Sequence, residues 1–95
     1  MNLQDIINTP GVSIVDVRTP FEYGMGHVED SLNIPLDQVA DRLEDFRALG
    51  RPLVLCCASG NRSGQATRFL QQQGLEEVYN GGGWAEVQSY QKEKA

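Results

Sequence analysis

Apolar and polar positions alternate in short blocks, and the blocks change period along the chain. Leu3, Ile6 and Ile7 share one face of a short helix over residues 3–8, and Pro10-Gly11 turns the chain. Val12-Ser13-Ile14-Val15-Asp16-Val17 is rich in β-branched residues and predicts a buried strand. Thr19-Pro20-Phe21-Glu22 then opens a helix, with Thr19 as N-cap, Pro20 in the first position and Glu22 closing a capping box. Gly24 and Gly26 keep that helix short, and Gly26-His27 predicts a turn.

Ser31-Leu32-Asn33-Ile34-Pro35 predicts a brief strand that ends at Pro35, which has no N–H to donate. Val39, Leu43 and Phe46 fit one face of a helix from Asp37, its N-cap, to about Leu49, with Gly50 capping its end. Residues 53–56 are apolar throughout and predict a central strand. Ala66, Phe69 and Leu70 mark a second amphipathic helix closed by Gly74. Residues 77–79 form a brief strand, Asn80-Gly81-Gly82-Gly83 a flexible turn, and Trp84, Val87 and Tyr90 a last helix that frays into residues 91–95. Strands alternating with helices imply an α/β fold with a mostly parallel sheet. The length of 95 residues implies a single domain over residues 1–95.

Charge narrows the function. The net charge is −5, yet Arg51, Arg62 and Arg68 fall between residues 51 and 75 with no Asp or Glu among them. A locally positive stretch on an acidic chain suits a small anion and argues against nucleic acid, which needs a broad basic face. No apolar run approaches a membrane span, and Met1-Asn2-Leu3-Gln4-Asp5 lacks the basic and apolar parts of a secretory signal. The two cysteines are adjacent, with Cα atoms about 3.8 Å apart, below the usual disulfide range. A reducing, cytoplasmic location is expected. One His and two neighbouring Cys do not make a zinc site.

The chemistry centres on Cys57-Ala58-Ser59-Gly60-Asn61-Arg62-Ser63, where a buried strand gives way to a helix. The backbone N–H groups of such a turn, with the positive end of the helix, stabilise a thiolate. Cys57 is the candidate nucleophile, Arg62 closes the loop and Ser63 is expected to cap the helix. Cys56 points the other way along the strand and reads as core. Asp16 and Arg18 stand at a strand end and read as a brace for the site. His27 reads as a hydrogen-bonding structural residue, Glu22 as a cap, and Trp84 and Tyr79 as core.

The ordered set of Asp16-Val17-Arg18-Thr19-Pro20 with Glu22, Gly26-His27, Asn33-Ile34-Pro35-Leu36, the cysteine loop, Val78-Tyr79-Asn80 and Gly82-Gly83 resembles a single-domain rhodanese, a sulfurtransferase. The resemblance covers nearly the whole chain. It implies a three-layer fold and covalent transfer in two half-reactions. The Cys57 thiolate takes the outer sulfur of a small anionic donor such as thiosulfate and passes it from a persulfide to cyanide or a thiol. The resemblance calls for no metal or organic cofactor, and a sulfur-relay partner protein is a further expectation. Cysteine phosphatases resemble C-x5-R, whereas Cys57 to Arg62 is C-x4-R, a tighter loop that suits sulfur better than phosphate. The rival readings are a low-turnover persulfide carrier or redox-sensing module and, behind it, a phosphatase or arsenate reductase. Ala58 stands where many members carry a long basic or aromatic residue, and Trp84 follows the glycines directly.

Overall fold

The computed structural model describes residues 2–91. In chain order the elements are α1 (Leu3–Ile7), β1 (Ser13–Asp16), α2 (Pro20–Gly24), β2 (Leu32–Asn33), a 3-10 turn (Leu36–Gln38), α3 (Leu43–Ala48), β3 (Leu53–Cys57), α4 (Asn61–Gln72), β4 (Val78–Gly83) and α5 (Trp84–Tyr90). The strands form one parallel sheet in the order β2-β1-β3-β4. Parallel neighbours need crossover connections, and the helices supply them on both faces. The fold is therefore α/β, a parallel sheet between helical layers. No helix of the described residues is long and apolar enough to cross a membrane.

The period of two along β3 divides its side chains between two cores. Leu53, Leu55 and Cys57 pack with Val15, Val17, Phe46, Ala66 and Leu70 on the face that α3 and α4 cover. Val54 and Cys56 pack with Ile6, Ile7, Ile14 and Val87 on the face that α1 and α5 cover. All five residues of β3 are buried, as expected of a central strand in a parallel sheet. Register places Asp16 beside Cys56, so the two central strands end at the same edge of the sheet.

Local signals act as expected in several places. Asn2, which the sequence reading did not single out, caps α1 by accepting from the Asp5 N–H. Thr19 and Glu22 form the reciprocal capping box of α2. Gly74 (φ 89°) follows the end of α4, where the Leu75 N–H reaches the Leu70 carbonyl, a Schellman closure.

The segment 37–49 differs from the expected single helix. Asp37 lies inside the 3-10 turn rather than capping an α-helix, and α3 starts only at Leu43. The spacing of Leu36 and Val39 matches the i to i+3 bonds of that turn. Glu44 and Asp45 then occupy the first turn of α3, where acidic residues favour a new helix N-terminus. Gly50 is not a left-handed cap, because α3 ends at Leu49 in an extended conformation. Its role is close approach: a Cβ there would lie 2.6 Å from the Gly11 carbonyl oxygen.

The expected flexible turn at residues 80–83 is strand. β4 runs through Asn80-Gly81-Gly82-Gly83 with a register shift opposite Leu55 and Cys56. A Cβ on Gly81 would fall 2.7 Å from Val87 Cγ2 and 2.8 Å from Val54 Cγ1. The glycines let β4 press against its neighbours rather than bend freely. Of the fraying tail, residues 92–95 lie outside the described residues.

Candidate active site

Cys57 is the last residue of β3, and three residues later Gly60 is the N-cap of α4. Gly60 holds φ 99°, and a Cβ there would stand 3.1 Å from Gly82 Cα. Glycine thus meets both a left-handed backbone and a tight neighbour. That turn swings the free N–H groups at the start of α4 back onto the thiol. Cys57 Sγ accepts from the Gly60 N–H at 3.0 Å and from the Ser63 N–H at 3.4 Å, and the Ser63 hydroxyl lies at 3.4 Å.

Cys57 is almost fully buried. Burial pushes the thiol pKa up, but the Ser63 hydroxyl and the N–H groups of Ser63, Ser59 and Gly60 outweigh it. The net shift is downward. Cys56 follows the opposite course on the other face of the sheet. Burial pushes its thiol up to about 12.

Ser63 does not cap α4 as the sequence suggests. It is the third helical residue, and its hydroxyl points down toward Cys57 and donates to Asn80 Oδ1 at 2.7 Å. A hydroxyl has one proton to give, so the Asn80 bond and a bond to a thiolate compete for it. Asn80 also accepts from the Gly82 N–H and donates to the Gly60 carbonyl, both at 3.0 Å. It ties β4 to the cysteine loop. Sequence reasoning left Asn80 out of the site because an Asn-Gly-Gly-Gly run reads as a turn. Its neighbour Tyr79, expected in the core, is 37% exposed, while Trp84 is half-buried.

Asp16 and Arg18 form a buried ion pair of 2.7 Å. Arg18 also donates to the Gly26 carbonyl at 2.6 Å and lies over the Trp84 ring at 4.9 Å. The pair fastens β1 to the start of α5, and neither side chain is among the hydrogen-bond partners of Cys57. Next to it the Val17 N–H bonds the Cys56 carbonyl at 2.9 Å. His27 Nδ1 donates to the Tyr23 carbonyl at 2.8 Å, and its ring stacks on Tyr23.

Arg62 turns to Glu22 rather than to the thiol. The two form a bidentate pair, Nη1 to Oε1 at 2.7 Å and Nη2 to Oε2 at 2.9 Å. Glu22 is therefore more than a cap, and Arg62 holds its carboxyl down at about 2. Nor does the positive stretch of sequence gather at the loop. Arg51 donates to the carbonyls of Phe46, Leu49 and Glu76, beyond the opposite end of β3. Arg68 is exposed on α4. Among the loop residues, Ala58, Ser59 and Asn61 are exposed and frame the mouth. Among the described residues, no group of three His, Cys, Asp or Glu side chains is placed to hold a metal.

The chain is similar to several known proteins. A sulfurtransferase of Allochromatium vinosum is 38% identical over 77 residues, which is 81% of this chain and 71% of that protein. The thiosulfate sulfurtransferase GlpE of Pseudomonas paraeruginosa is 37% identical over 70 residues, 74% of this chain and 63% of that protein. An uncharacterised relative from Bacillus subtilis is matched over only 52% of its length. Among solved structures, a rhodanese from E. coli with anions superposes with a TM-score of 0.69 at 32% identity, covering 79% of this chain and 89% of that one. A Staphylococcus saprophyticus protein gives a TM-score of 0.71 at 32% identity, covering 88% and 83%. The sequence profile of the rhodanese-like domain matches from residue 2 to residue 90, and the chain belongs to that family.

Proposed function

We propose that this chain is a sulfurtransferase in which Cys57 carries sulfur as a persulfide. The observation that carries the reading is the set of donors converging on Cys57 Sγ at the start of α4. In the first half-reaction the Cys57 thiolate attacks the outer sulfur of a donor such as thiosulfate. A new S–S bond forms, the donor's own S–S bond breaks, and sulfite leaves with the electron pair. In the second, a thiophilic acceptor, cyanide or a thiol, attacks the outer sulfur and releases the thiolate. The added sulfur extends the side chain by about 2 Å. The loop N–H groups that favour the thiolate would then favour the persulfide anion, as an oxyanion hole favours its oxygen.

Relatives named as sulfurtransferases support the reaction class. A phosphatase reading has less support. Arg62, the residue a phosphate would need, is already paired with Glu22. The two free thiols, both buried, suit a reducing compartment such as the cytoplasm. The test is turnover. With thiosulfate or another sulfane-sulfur donor and cyanide, the wild type releases thiocyanate, and Cys57→Ser releases none above the uncatalysed rate. Equal thiocyanate from both proteins would remove Cys57 from the reaction.

A further inference from the structure

We propose that Glu22 sets donor specificity: it withholds the Arg62 guanidinium from a dianionic donor, so the site favours a hydropersulfide over thiosulfate. This rests on the sulfurtransferase reading above. Arg62 is the one charged side chain in the loop 57–63, and Ala58 adds none. Both terminal guanidinium nitrogens, Nη1 and Nη2, are held by Glu22. Glu22 is itself anchored, because Oε1 also accepts from the Thr19 N–H and hydroxyl, each at 3.1 Å. Its carboxylate therefore does not move aside freely for a substrate.

Among the described residues, Arg18 and Arg68 are also committed or screened. Arg18 is neutralised by the buried Asp16 carboxylate. Arg68 is exposed on α4, where water and salt screen it. A donor thus meets backbone N–H groups and a thiolate, with no unpaired guanidinium in the loop. Thiosulfate brings two negative charges to that thiolate. A hydropersulfide brings at most one on its sulfur end.

Space beside Arg62 fits a donor with an organic body. A pocket of about 390 Å³ lies beside Arg62, its apolar wall made by Val17, Pro20, Pro35 and Leu36 and its polar one by Thr19, Asp37 and Gln38. Apolar walls and a carboxylate suit an organic thiol's remainder better than a bare oxyanion. The chemistry balances without a further reactant. Cys57 Sγ bonds the outer sulfur of R–S–SH, that sulfur keeps its proton, and the donor's S–S bond breaks. The electron pair leaves on the inner sulfur as R–S⁻.

The experiment measures persulfide formation on Cys57 in single turnover, with thiosulfate and with freshly made cysteine hydropersulfide. It compares wild type, Glu22→Gln and Glu22→Gln/Arg62→Gln. Glutamine keeps the capping box but not the charge. Wild type should prefer the hydropersulfide by about tenfold or more, a loss typical of one missing charge-assisted contact. Glu22→Gln should improve thiosulfate efficiency by about tenfold, through a lower half-saturating concentration that rises with salt. The hydropersulfide should change by no more than about twofold, and the double variant should lose the gain. Wild type using both donors equally overturns the proposal without any variant. So does a folded Glu22→Gln with unchanged thiosulfate efficiency, or a gain that survives loss of Arg62. In each of those cases a persulfide on Cys57 leaves the sulfurtransferase reading intact, whereas no persulfide from either donor overturns both.

Discussion

Two opposing effects meet at Cys57. Burial disfavours the thiolate, and four donors at the start of α4 favour it by a larger amount. Among the described residues no side-chain base is a hydrogen-bond partner of the sulfur, so these donors are what favour its thiolate. Ser63 is the donor that can be removed without disturbing the backbone. Iodoacetamide trapping, which follows the thiolate, should label Cys57 with a midpoint below that of an ordinary thiol, about pH 8.5. The sign follows from the depressed pKa: labelling rises with pH and levels off early. In Ser63→Ala the midpoint should move upward, and labelling at pH 7 should slow about tenfold, the size of one hydrogen bond to a charged group. An unchanged profile would show that the hydroxyl stays with Asn80 Oδ1. Cys56, fully buried and held at about 12, should stay unlabelled in the folded protein.

Among the elements, β4 does more than its composition suggests. Its glycines let it lie against Val54, Val87 and the Ala58 carbonyl, and that closeness brings Asn80 to Ser63 and Gly60. Gly81→Ala should therefore cost about 1–3 kcal/mol, as overpacking does. The melting temperature of a domain this size should fall by about 4–8 °C for each kcal/mol. A melting temperature equal to wild type would contradict the close packing. The same strand marks the limit of what the sequence discloses. Elements set by local chemistry are legible: the branched run of β1, the capping box of α2 and the Gly74 closure of α4. The cysteine loop is legible too, because strand, small polar residues and helix lie side by side in the chain. Features set by tertiary approach are not. Asn80 and Ser63 are 17 residues apart, and Glu22 and Arg62 are 40 apart. Nothing in either neighbourhood announces the other. The apolar stripe of residues 36–49 fits a continuous helix, yet the acids at 44 and 45 start a new one.

At the scale of the whole molecule, parallel order gathers the ends of β1 and β3 at one edge, where α4 begins. The sheet separates the adjacent thiols, Cys57 in one core and Cys56 in the other, so one is tuned and the other silenced. Ion pairing occupies Arg18 and Arg62, and the net charge of −5 repels a dianion more than a monoanion. All of this bears on a single claim, that Cys57 takes up sulfur and gives it back. Intact mass is its most direct measure, taken on wild type and Cys57→Ser after brief exposure to a sulfane-sulfur donor and again after cyanide. The account predicts a gain of one sulfur on wild type alone, reversed by cyanide with release of thiocyanate. No adduct on wild type with any donor, or the same adduct on Cys57→Ser, would contradict it.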